Sequence, residues 1–384
     1  MKPKLTIVTP IFPPDVGGPA SYTTEIATRL QDDFEITILG FCGGMDGQTK
    51  TGPKLIPGTK SHFINPHAHS FLGRQKGLRA LLNKHAKDAD FIYIQGPIVT
   101  GVNARIFASK HKIPHAMKFV GDIAWEDASR RGKTQLNLPN WLASSKKDLK
   151  ARLIYWLQKW NFQKAQALIT PSKFLKNILT EYYKLNPAKV NLIFNAFDAK
   201  ITPRTLSEPA TQLMTAGRLV PHKNVAAIIK ALHLLPETYT LDIYGGGPEL
   251  DNLKNLAAQL DLTTRTTFHG NVPQASLHQA MTEHDAFILY SNYEGLPHIV
   301  LESFAKSCPV IASDIPGTNE VAIHQKTALL APPNNPAELA KTIKIFTENH
   351  ELRQTTLTAG QNLLQEKFSW ENHLTGLRKI IQQA

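Results

Sequence analysis

The sequence predicts an α/β protein made of two doubly wound domains that face each other across a cleft. Short apolar runs rich in β-branched residues alternate with longer helical patterns, which is typical of parallel sheets covered by helices. The alternation stops at a polar segment, residues 199–210, and then begins again. Because 384 residues are many for one hydrophobic core, we expect two domains, at 1–198 and 199–366, followed by a terminal helix at 367–384.

The first domain is predicted to begin with a buried strand and to continue in βα units. Its strands are expected at residues 5–9, 35–39, 91–94, 115–120, 167–170 and 189–194. Its helices are expected at residues 21–30, 78–87, 102–111 and 146–166. Residues 41–77 are rich in Gly, Pro, His and Lys and are predicted to form a loop.

The second domain repeats the same alternation. Its strands are expected at residues 212–216, 240–244, 266–269, 286–290, 309–312 and 328–330. Its helices are expected at residues 224–234, 248–259, 275–282, 297–306, 317–324 and 336–348. The last helix of the chain is expected to begin near Ser369, with Ser369 as its N-cap and Glu371 in its first turn.

The charge of the chain is distributed unevenly. Residues 1–198 contain 28 Lys and Arg against 14 Asp and Glu, whereas residues 199–384 contain 15 against 17. The first half therefore carries the surplus behind the net charge of +12. A basic half predicts an anionic partner such as a phosphorylated substrate, an anionic membrane surface or nucleic acid, and a generally basic soluble surface is the alternative.

Composition also narrows the class of protein. Two cysteines, Cys42 and Cys308, are too few for a disulfide framework, so a reducing, cytoplasmic compartment is expected. The apolar run at the start is too short for a signal peptide, and no run approaches the roughly 20 apolar residues of a membrane span. The histidines lack metal-ligand spacing, so no metal or other cofactor is expected.

A phosphate-binding turn is predicted after the first strand of the second domain. Gly217-Arg218 follows that strand, and Lys223 lies at the start of the next helix. Unpaired amides at a helix N-terminus favour an anion, and Arg218 can bind a diphosphate bidentately while Lys223 adds a point charge. The alternative is an exposed turn with two solvated cations.

Two glutamates separated by seven residues form the most specific pattern in the chain. Glu294 follows the strand predicted at 286–290, and Glu302 lies on the next helix. Eight positions are just over two helical turns, so both carboxylates can face one cleft. Glu302 is expected to hold the hydroxyls of a ribose and Glu294 those of a sugar. Glu302 is embedded in apolar residues, where a carboxylate needs a partner.

Glycine turns and a valine complete the predicted ligand contacts. Gly17 and Gly18 follow the first strand, and Gly247 follows the strand predicted at 240–244, where a backbone can approach a ligand closely. The backbone at Val272 is predicted to contact a base. Ordinary tight turns remain equally good interpretations, because the spacing matches neither a dinucleotide-binding fingerprint nor a Walker A sequence.

Asp122 is the candidate acid or base of the first domain. It follows the strand predicted at 115–120 and is expected at the carboxyl edge of the sheet, facing the cleft. There it can contact a sugar or accept a proton from an acceptor hydroxyl. A helix-capping or turn aspartate is the alternative.

Taken together, these residues resemble the group 1 (family 4) glycosyltransferases, retaining enzymes with the GT-B fold of two Rossmann-like domains. The resemblance covers nearly the whole chain, and its specific part is the Glu-x7-Glu segment with Arg218 and Lys223. It implies transfer of a hexose-type sugar from a nucleoside diphosphate sugar to a glycan or lipid-linked acceptor, without a metal ion. It also implies that Glu294 contacts the donor sugar and Glu302 the ribose, that Gly17 and Gly18 close on the diphosphate, and that the last helix crosses back to the first domain.

The chain departs from the family at one position. Many members have a histidine at the end of the strand predicted at 115–120, where this chain has Gly121-Asp122. The family's chemistry is usually pictured as front-face attack, in which the leaving diphosphate takes the acceptor proton. A protein base is then not required. The missing histidine therefore bears on the role assigned to Asp122 more than on the class of reaction. An epimerase of the same fold and a non-catalytic nucleic-acid-binding protein remain alternatives, although no aromatic-basic RNA motif is present.

One predicted helix bears on where the protein acts. Leu149, Leu153, Trp156, Leu157 and Trp160 recur at helical spacing, with basic residues off that stripe. The simpler interpretation is a helix whose apolar stripe faces the core. The other is that the basic domain rests on the inner face of the cell membrane, where each basic residue contributes ~1 kcal/mol and the acceptor is a lipid-linked or envelope precursor.

Overall fold

The computed structural model describes residues 1–15, 17–45, 55–197 and 200–383. In the first domain the strands are β1 Lys4–Thr9, β2 Glu35–Phe41, β3 Lys60–Ile64, β4 Phe91–Gln95, β5 His115–Lys118, β6 Ala167–Thr170 and β7 Val190–Leu192. The helices of this domain are α1 Gly18–Leu30, α2 Phe71–His85, α3 Gly101–His111, α4 Ile123–Arg130, α5 Leu138–Ala143, α6 Leu149–Lys164 and α7 Lys173–Asn177. A π-helical turn, Ile178–Tyr182, continues α7.

The second domain has the same alternation. Its strands are β8 Gln212–Ala216, β9 Thr240–Tyr244, β10 Thr266–Gly270, β11 Ala286–Leu289, β12 Val310–Ser313 and β13 Leu329–Ala331. Its helices are α8 Val225–His233, α9 Leu250–Gln259, α10 Gln274–Glu283, α11 His298–Ala305, α12 Pro336–Thr347 and α13 His350–Lys367, and α14 Trp370–Gln382 ends the described chain.

Each domain is built on one parallel sheet. The first sheet has the strand order β3-β2-β1-β4-β5-β6-β7, and the second has the order β10-β9-β8-β11-β12-β13. The strands are buried almost throughout, because helices cover both faces of a parallel sheet. The two-domain α/β architecture predicted from the sequence is confirmed.

The topology fixes where a ligand can bind. In each sheet the chain reverses its direction of winding beside the first strand, between β1 and β4 and between β8 and β11. Ligands of open α/β sheets bind outside the carboxyl ends of the strands at such a switch point. The loops that leave these ends precede α1, α8 and α11, and they carry the predicted site residues Gly17, Arg218, Lys223 and Glu294.

The C-terminal helix joins the two domains. Leu374 and Leu377 of α14 pack into the core of the first domain beside β1 and β2. His373 bonds the Tyr22 hydroxyl at 2.7 Å, and Arg378 pairs with Asp33 at 2.7 Å. The chain therefore leaves the second domain after α13 and crosses back to the first, as the sequence predicts.

Some local predictions were wrong. Residues 41–77 are not all loop, because β3 and the start of α2 lie within them; residues 46–54 of that segment lie outside the described residues. β3 is an edge strand with a half-exposed polar sequence, so it lacks a buried apolar run. The helix predicted at 317–324 is a single 3-10 turn, Thr318–Glu320. Helices α4, α5, α7 and α13 were not predicted; α13 has a mostly polar sequence, and its Gly360 packs against the Phe304 ring.

The core-facing interpretation of the α6 stripe was also wrong. Leu149, Leu153 and Trp156 are 83%, 65% and 61% exposed. The buried face instead carries Gln158 and Asn161, whose side chains hydrogen-bond the Tyr183 hydroxyl at 2.5 Å and the Pro97 carbonyl at 2.6 Å. Gln158 and Asn161 can be buried because their partners satisfy them, and they share that face with the apolar Ala151 and Phe162, so a different face from the predicted stripe meets the core.

Candidate active site

A cavity of about 730 Å³ lies between the two domains. The first domain contributes Gly18, Tyr22 and Lys118 to its lining, and the second contributes His298 and Glu302. These residues come from α1, β5 and α11, which adjoin the two switch points. The cavity is therefore the cleft that the topology predicts.

Glu294 lies on the loop between β11 and α11 and is only 8% exposed. Its Oε1 accepts hydrogen bonds from Lys223 Nζ at 2.6 Å and from Ser291 Oγ at 2.6 Å. Gly317, at a φ of 86°, supports this loop, because a Cβ there would lie 2.1 Å from the carbonyl oxygen of Glu294. Packing and hydrogen bonds thus hold the carboxylate in one place.

Lys223 ends a 3-10 turn, Pro221–Lys223, that precedes α8. Its ammonium pairs with Glu294, so the residue predicted for a diphosphate touches the residue predicted for a sugar. His222 packs beside Trp125 of the first domain, and burial together with the charge of Lys223 lowers the pKa of His222 to about 4. Arg218 is exposed on the preceding loop, and its charge acts on Glu126 across the cleft.

Glu302 lies on α11 and lines the cavity. The partner that its apolar surroundings require is His278 of α10, whose Nε2 lies 2.9 Å from Glu302 Oε2. His278 also lines the cavity, and it was not predicted from the sequence. Its position at the middle of a helix carries no local signal, because the contact joins two helices 24 residues apart in sequence.

The glycines occupy different places. Gly17 caps α1, and Gly18 lines the cavity with open space where a Cβ would stand. Gly247 has a different role, because a Cβ there would lie 2.3 Å from the carbonyl oxygen of Leu219. Gly247 therefore lets the loop after β9 pack against the loop that carries Arg218.

Val272 does not line the main cavity. Its side chain borders a separate surface depression beside Tyr244 and His269. Gln274, two residues further on, does line the cavity, so the backbone between them passes along its edge. A base contact by the main chain at Val272 remains a prediction.

Asp122 has the structural role that was its alternative interpretation. It is fully buried and is the N-cap of α4, where Oδ1 accepts a hydrogen bond from the Trp125 amide at 2.9 Å. Its Oδ2 accepts a hydrogen bond from the Tyr183 hydroxyl at 2.5 Å. Both oxygens are thus engaged inside the first domain, which corrects the prediction that Asp122 contacts a sugar or accepts a proton.

Sequence reasoning missed the charged groups that the first domain does place at the cleft. Glu126 lies beside Gly121, and loss of solvation together with the charge of Asp122 raises the pKa of Glu126 to about 7. Lys118 lies on β5, where burial holds its pKa well below the usual range. A lysine inside a buried strand is the signal that could have identified it.

Two family models match the chain and together span most of it. The model for glycosyl transferases group 1 matches residues 198–362, and the model for glycosyltransferase family 4 matches residues 16–200. Their order along the chain agrees with the two domains and the cleft between them. This chain therefore belongs to the group 1 (family 4) glycosyltransferases.

Individual relatives agree with that class. Glycogen synthase of Mycobacterium tuberculosis is 28% identical over 240 residues, which are 61% of this chain and 58% of that protein. The chain thus matches less than two thirds of that relative's length.

Solved structures share the GT-B fold. Sucrose-phosphate synthase from Thermosynechococcus elongatus superposes with a TM-score of 0.81 at 16% identity and covers 100% of this chain and 99% of its own. Anabaena HepE in complex with UDP-glucose superposes with a TM-score of 0.74 at 19% identity, covering 99% and 98%. At these identities the likeness concerns the fold.

Proposed function

We propose that this protein transfers a hexose-type sugar from a nucleoside diphosphate sugar to a glycan or lipid-linked acceptor, with retention of anomeric configuration and without a metal ion. The observation that carries the proposal is the contact between Lys223 and Glu294. A cation suited to a diphosphate thus lies next to a carboxylate suited to sugar hydroxyls, and these are the two joined parts of such a donor. Glu302, eight residues further on, lines the adjoining cavity and suits the ribose.

The proposed chemistry places charge stabilisation on the second domain. As the sugar–diphosphate bond breaks, negative charge grows on the leaving diphosphate, and Arg218 and Lys223 stabilise it. In front-face attack the same diphosphate accepts the acceptor proton. The burial of Asp122 in the first domain fits a reaction in which it is not the base.

A panel of nucleotide sugars tests the proposal. UDP-, GDP- and ADP-linked glucose, galactose and mannose are each scored for thermal stabilisation and for release of the nucleoside diphosphate, with and without chelator. We expect one donor to stabilise the protein and to be hydrolysed slowly, with the same rate in chelator. No response to any donor would contradict the proposal, and activity that is lost in chelator and restored by magnesium would contradict its metal-independence. An epimerase would instead convert the nucleotide sugar without releasing nucleoside diphosphate.

The acceptor is proposed to lie at an anionic membrane surface, which the apolar stripe of α6 contacts. Leu149, Leu153 and Trp156 are exposed on one helix face, and Lys146, Lys150 and Arg152 are exposed close by in sequence. An apolar stripe flanked by basic residues suits the headgroup region of a bilayer. In the described part of the chain, no helix is both long and apolar enough to cross a membrane.

Vesicle co-sedimentation tests this surface. Phosphatidylglycerol vesicles should bind the protein, phosphatidylcholine vesicles should not, and salt should weaken the binding. The double variant Leu153→Ser and Trp156→Ser should lose binding, whereas Leu234→Ser, which alters an exposed leucine of the second domain, should retain it. Absence of binding by the wild type at low salt would contradict a membrane acceptor site and favour a soluble acceptor.

A further inference from the structure

A lysine without a counter-ion lies at the floor of the cleft. Lys118 is only 4% exposed and lines the cavity. Its Nζ donates a hydrogen bond to Asn195 Oδ1 at 2.7 Å and lies 3.2 Å from the centroid of the Tyr22 ring. Among residues 1–15, 17–45, 55–197 and 200–383, it forms no ion pair with a carboxylate. A buried lysine needs an anion beside it in order to be protonated, and the cavity is where one can enter.

Both acidic and basic groups lie around Lys118. Tyr22 and Glu25 of α1, His298 and Glu302 of α11, and His373 of α14 surround it or line the same cavity. Burial, reinforced by the charge of Lys118, lowers the pKa of His298 to about 4 and that of His373 to about 3. The floor of the cleft therefore holds three nitrogen bases from three elements, and the charge of Lys118 disfavours protonation of both histidines, whereas Glu302 favours that of His298.

Asn195 lies between Lys118 and His298 and hydrogen-bonds both of them. Its Oδ1 accepts from Lys118, so its Nδ2 faces His298 and donates to the unprotonated Nε2 at 2.6 Å. A proton on His298 Nε2 would point at the amide hydrogens of Asn195 and be repelled by them. His298 is thus held neutral, and a proton that enters the cluster goes to Lys118.

We propose that Lys118 binds the diphosphate of the donor from the first domain and takes up a proton as the diphosphate enters. The inference rests on the proposed function. His298 lies on the same helix as Glu302, the residue proposed for the ribose, and both line the cavity. Lys118 is joined to His298 through Asn195, and Gly18 of α1 lines the same cavity. The diphosphate would then be held between Lys118 and the Arg218–Lys223 turn.

Proton uptake gives a readout that a structural lysine would not produce. Titration calorimetry with UDP, GDP and ADP at about pH 8.5, where a terminal phosphate is fully ionised, is run in two buffers of different ionisation enthalpy. Binding to the wild type should take up protons from the buffer. Because uptake is linked to affinity, the affinity should fall up to about tenfold for each pH unit between the free and bound pKa values of Lys118.

Three variants sharpen this test. Lys118→Met should weaken nucleoside diphosphate binding about tenfold at neutral pH and abolish proton uptake. Lys118→Arg should retain affinity but take up no proton, because arginine stays protonated. Lys147→Met is the matched control, since Lys147 is a partly buried lysine of the same domain that lies over the Trp141 ring; it should behave as the wild type.

Three results would overturn the inference about Lys118, and they differ in what they mean for the proposed function. Wild-type binding without proton uptake would overturn the inference, even if Lys118→Met does not fold, and would leave the proposed function intact. A folded Lys118→Met protein could also bind nucleotides unchanged but have a raised KM for a phosphorylated acceptor. That result would overturn the inference and indicate that Lys118 binds the acceptor. No binding of any of the three nucleotides would overturn the proposed function and this inference together.

Discussion

The two walls of the cleft differ in how their charges are arranged. The second-domain wall, defined as Arg218, Lys223, Glu294 and Glu302, carries carboxylates that each touch a cation or a histidine. The first-domain wall, defined as Lys118, Asp122 and Glu126, carries two buried groups, Lys118 and Asp122, and a more exposed carboxylate, Glu126, and loss of solvation shifts the pKa of all three. The carboxylates of the second-domain wall are paired before a ligand arrives, whereas Lys118 has no carboxylate partner among the residues that the structure describes.

Under the proposed function, the difference suits the two walls to different tasks. Groups paired across loops keep their geometry and exchange one partner for another when a ligand enters, which costs little reorganisation. A buried unpaired group is costly until its partner arrives, so it responds to the ligand. The second-domain wall therefore suits recognition and charge stabilisation, and the first-domain wall suits sensing that the donor has arrived.

The largest effect is expected at Glu294. Glu294→Gln should lower turnover by ~10²-fold or more, because an electrostatic contact made at the sugar in the transition state is lost. Glu348→Gln, an exposed glutamate of the same domain, should have no effect. Initial rates of nucleoside diphosphate release measure this, and full activity in Glu294→Gln would remove Glu294 from the site.

Asp122 should affect stability rather than catalysis. Asp122→Ala removes the cap of α4 and leaves the Tyr183 hydroxyl without its acceptor, so the free energy of unfolding should fall by about 1–3 kcal/mol. Asn137→Ala removes only the exposed cap of α5 and should cost about 1 kcal/mol or less. Denaturant unfolding gives both values. A stable Asp122→Ala protein with severely reduced turnover would show that Asp122 takes part in the reaction.

Removing the diphosphate cations should have a smaller effect on binding. Lys223→Met and Arg218→Met should each weaken nucleoside diphosphate affinity about tenfold, since a charge-assisted hydrogen bond is worth roughly 1.5–3 kcal/mol. Lys230→Met, on the exposed face of α8, is the control. If calorimetry finds unchanged affinity in both site variants, the second-domain wall is not the diphosphate site.

The smallest effect is expected at Glu126. Its pKa is raised from 4.5 to about 7, so the folded protein keeps a proton between these values that the unfolded chain releases. Stability contributed by this group therefore falls as the pH rises from 4.5 to about 7 and stays constant above. Glu126→Gln should flatten the dependence of Tm on pH in that window. An unchanged slope would mean that Glu126 is solvated.

The sequence predicted the second-domain wall far better than the first. Arg218, Lys223 and Glu294 follow strands β8 and β11, so strand prediction alone places them at the carboxyl edge of one sheet. His278 and Asn195 could not be predicted, because they meet Glu302 and Lys118 only after helices and domains have packed. Asp122 has the same local sequence context as a cleft residue, and only the packing of Tyr183 against it shows that it is a cap.

The secondary structure was also predicted well in some places and poorly in others. Buried strands of either sheet were predicted because near-continuous apolar runs specify them, whereas the edge strand β3 was not. The apolar stripe of α6 was assigned to the core because amphipathic periodicity shows that one face of a helix is apolar. It does not show whether that face points toward the core or toward the surface. The face that meets the core instead carries Ala151 and Phe162 together with Gln158 and Asn161, whose polar groups find partners inside.

The account's central claim is that the cleft transfers sugar from a nucleoside diphosphate sugar with Glu294 at the sugar and the diphosphate between the two walls. The most direct measurement follows the anomeric proton by NMR during the first minutes of turnover of the donor found in the panel. We predict that the first product signal has the anomeric configuration of the donor and is absent in Glu294→Gln. A first product of inverted configuration, or an unchanged rate in Glu294→Gln, would contradict the account.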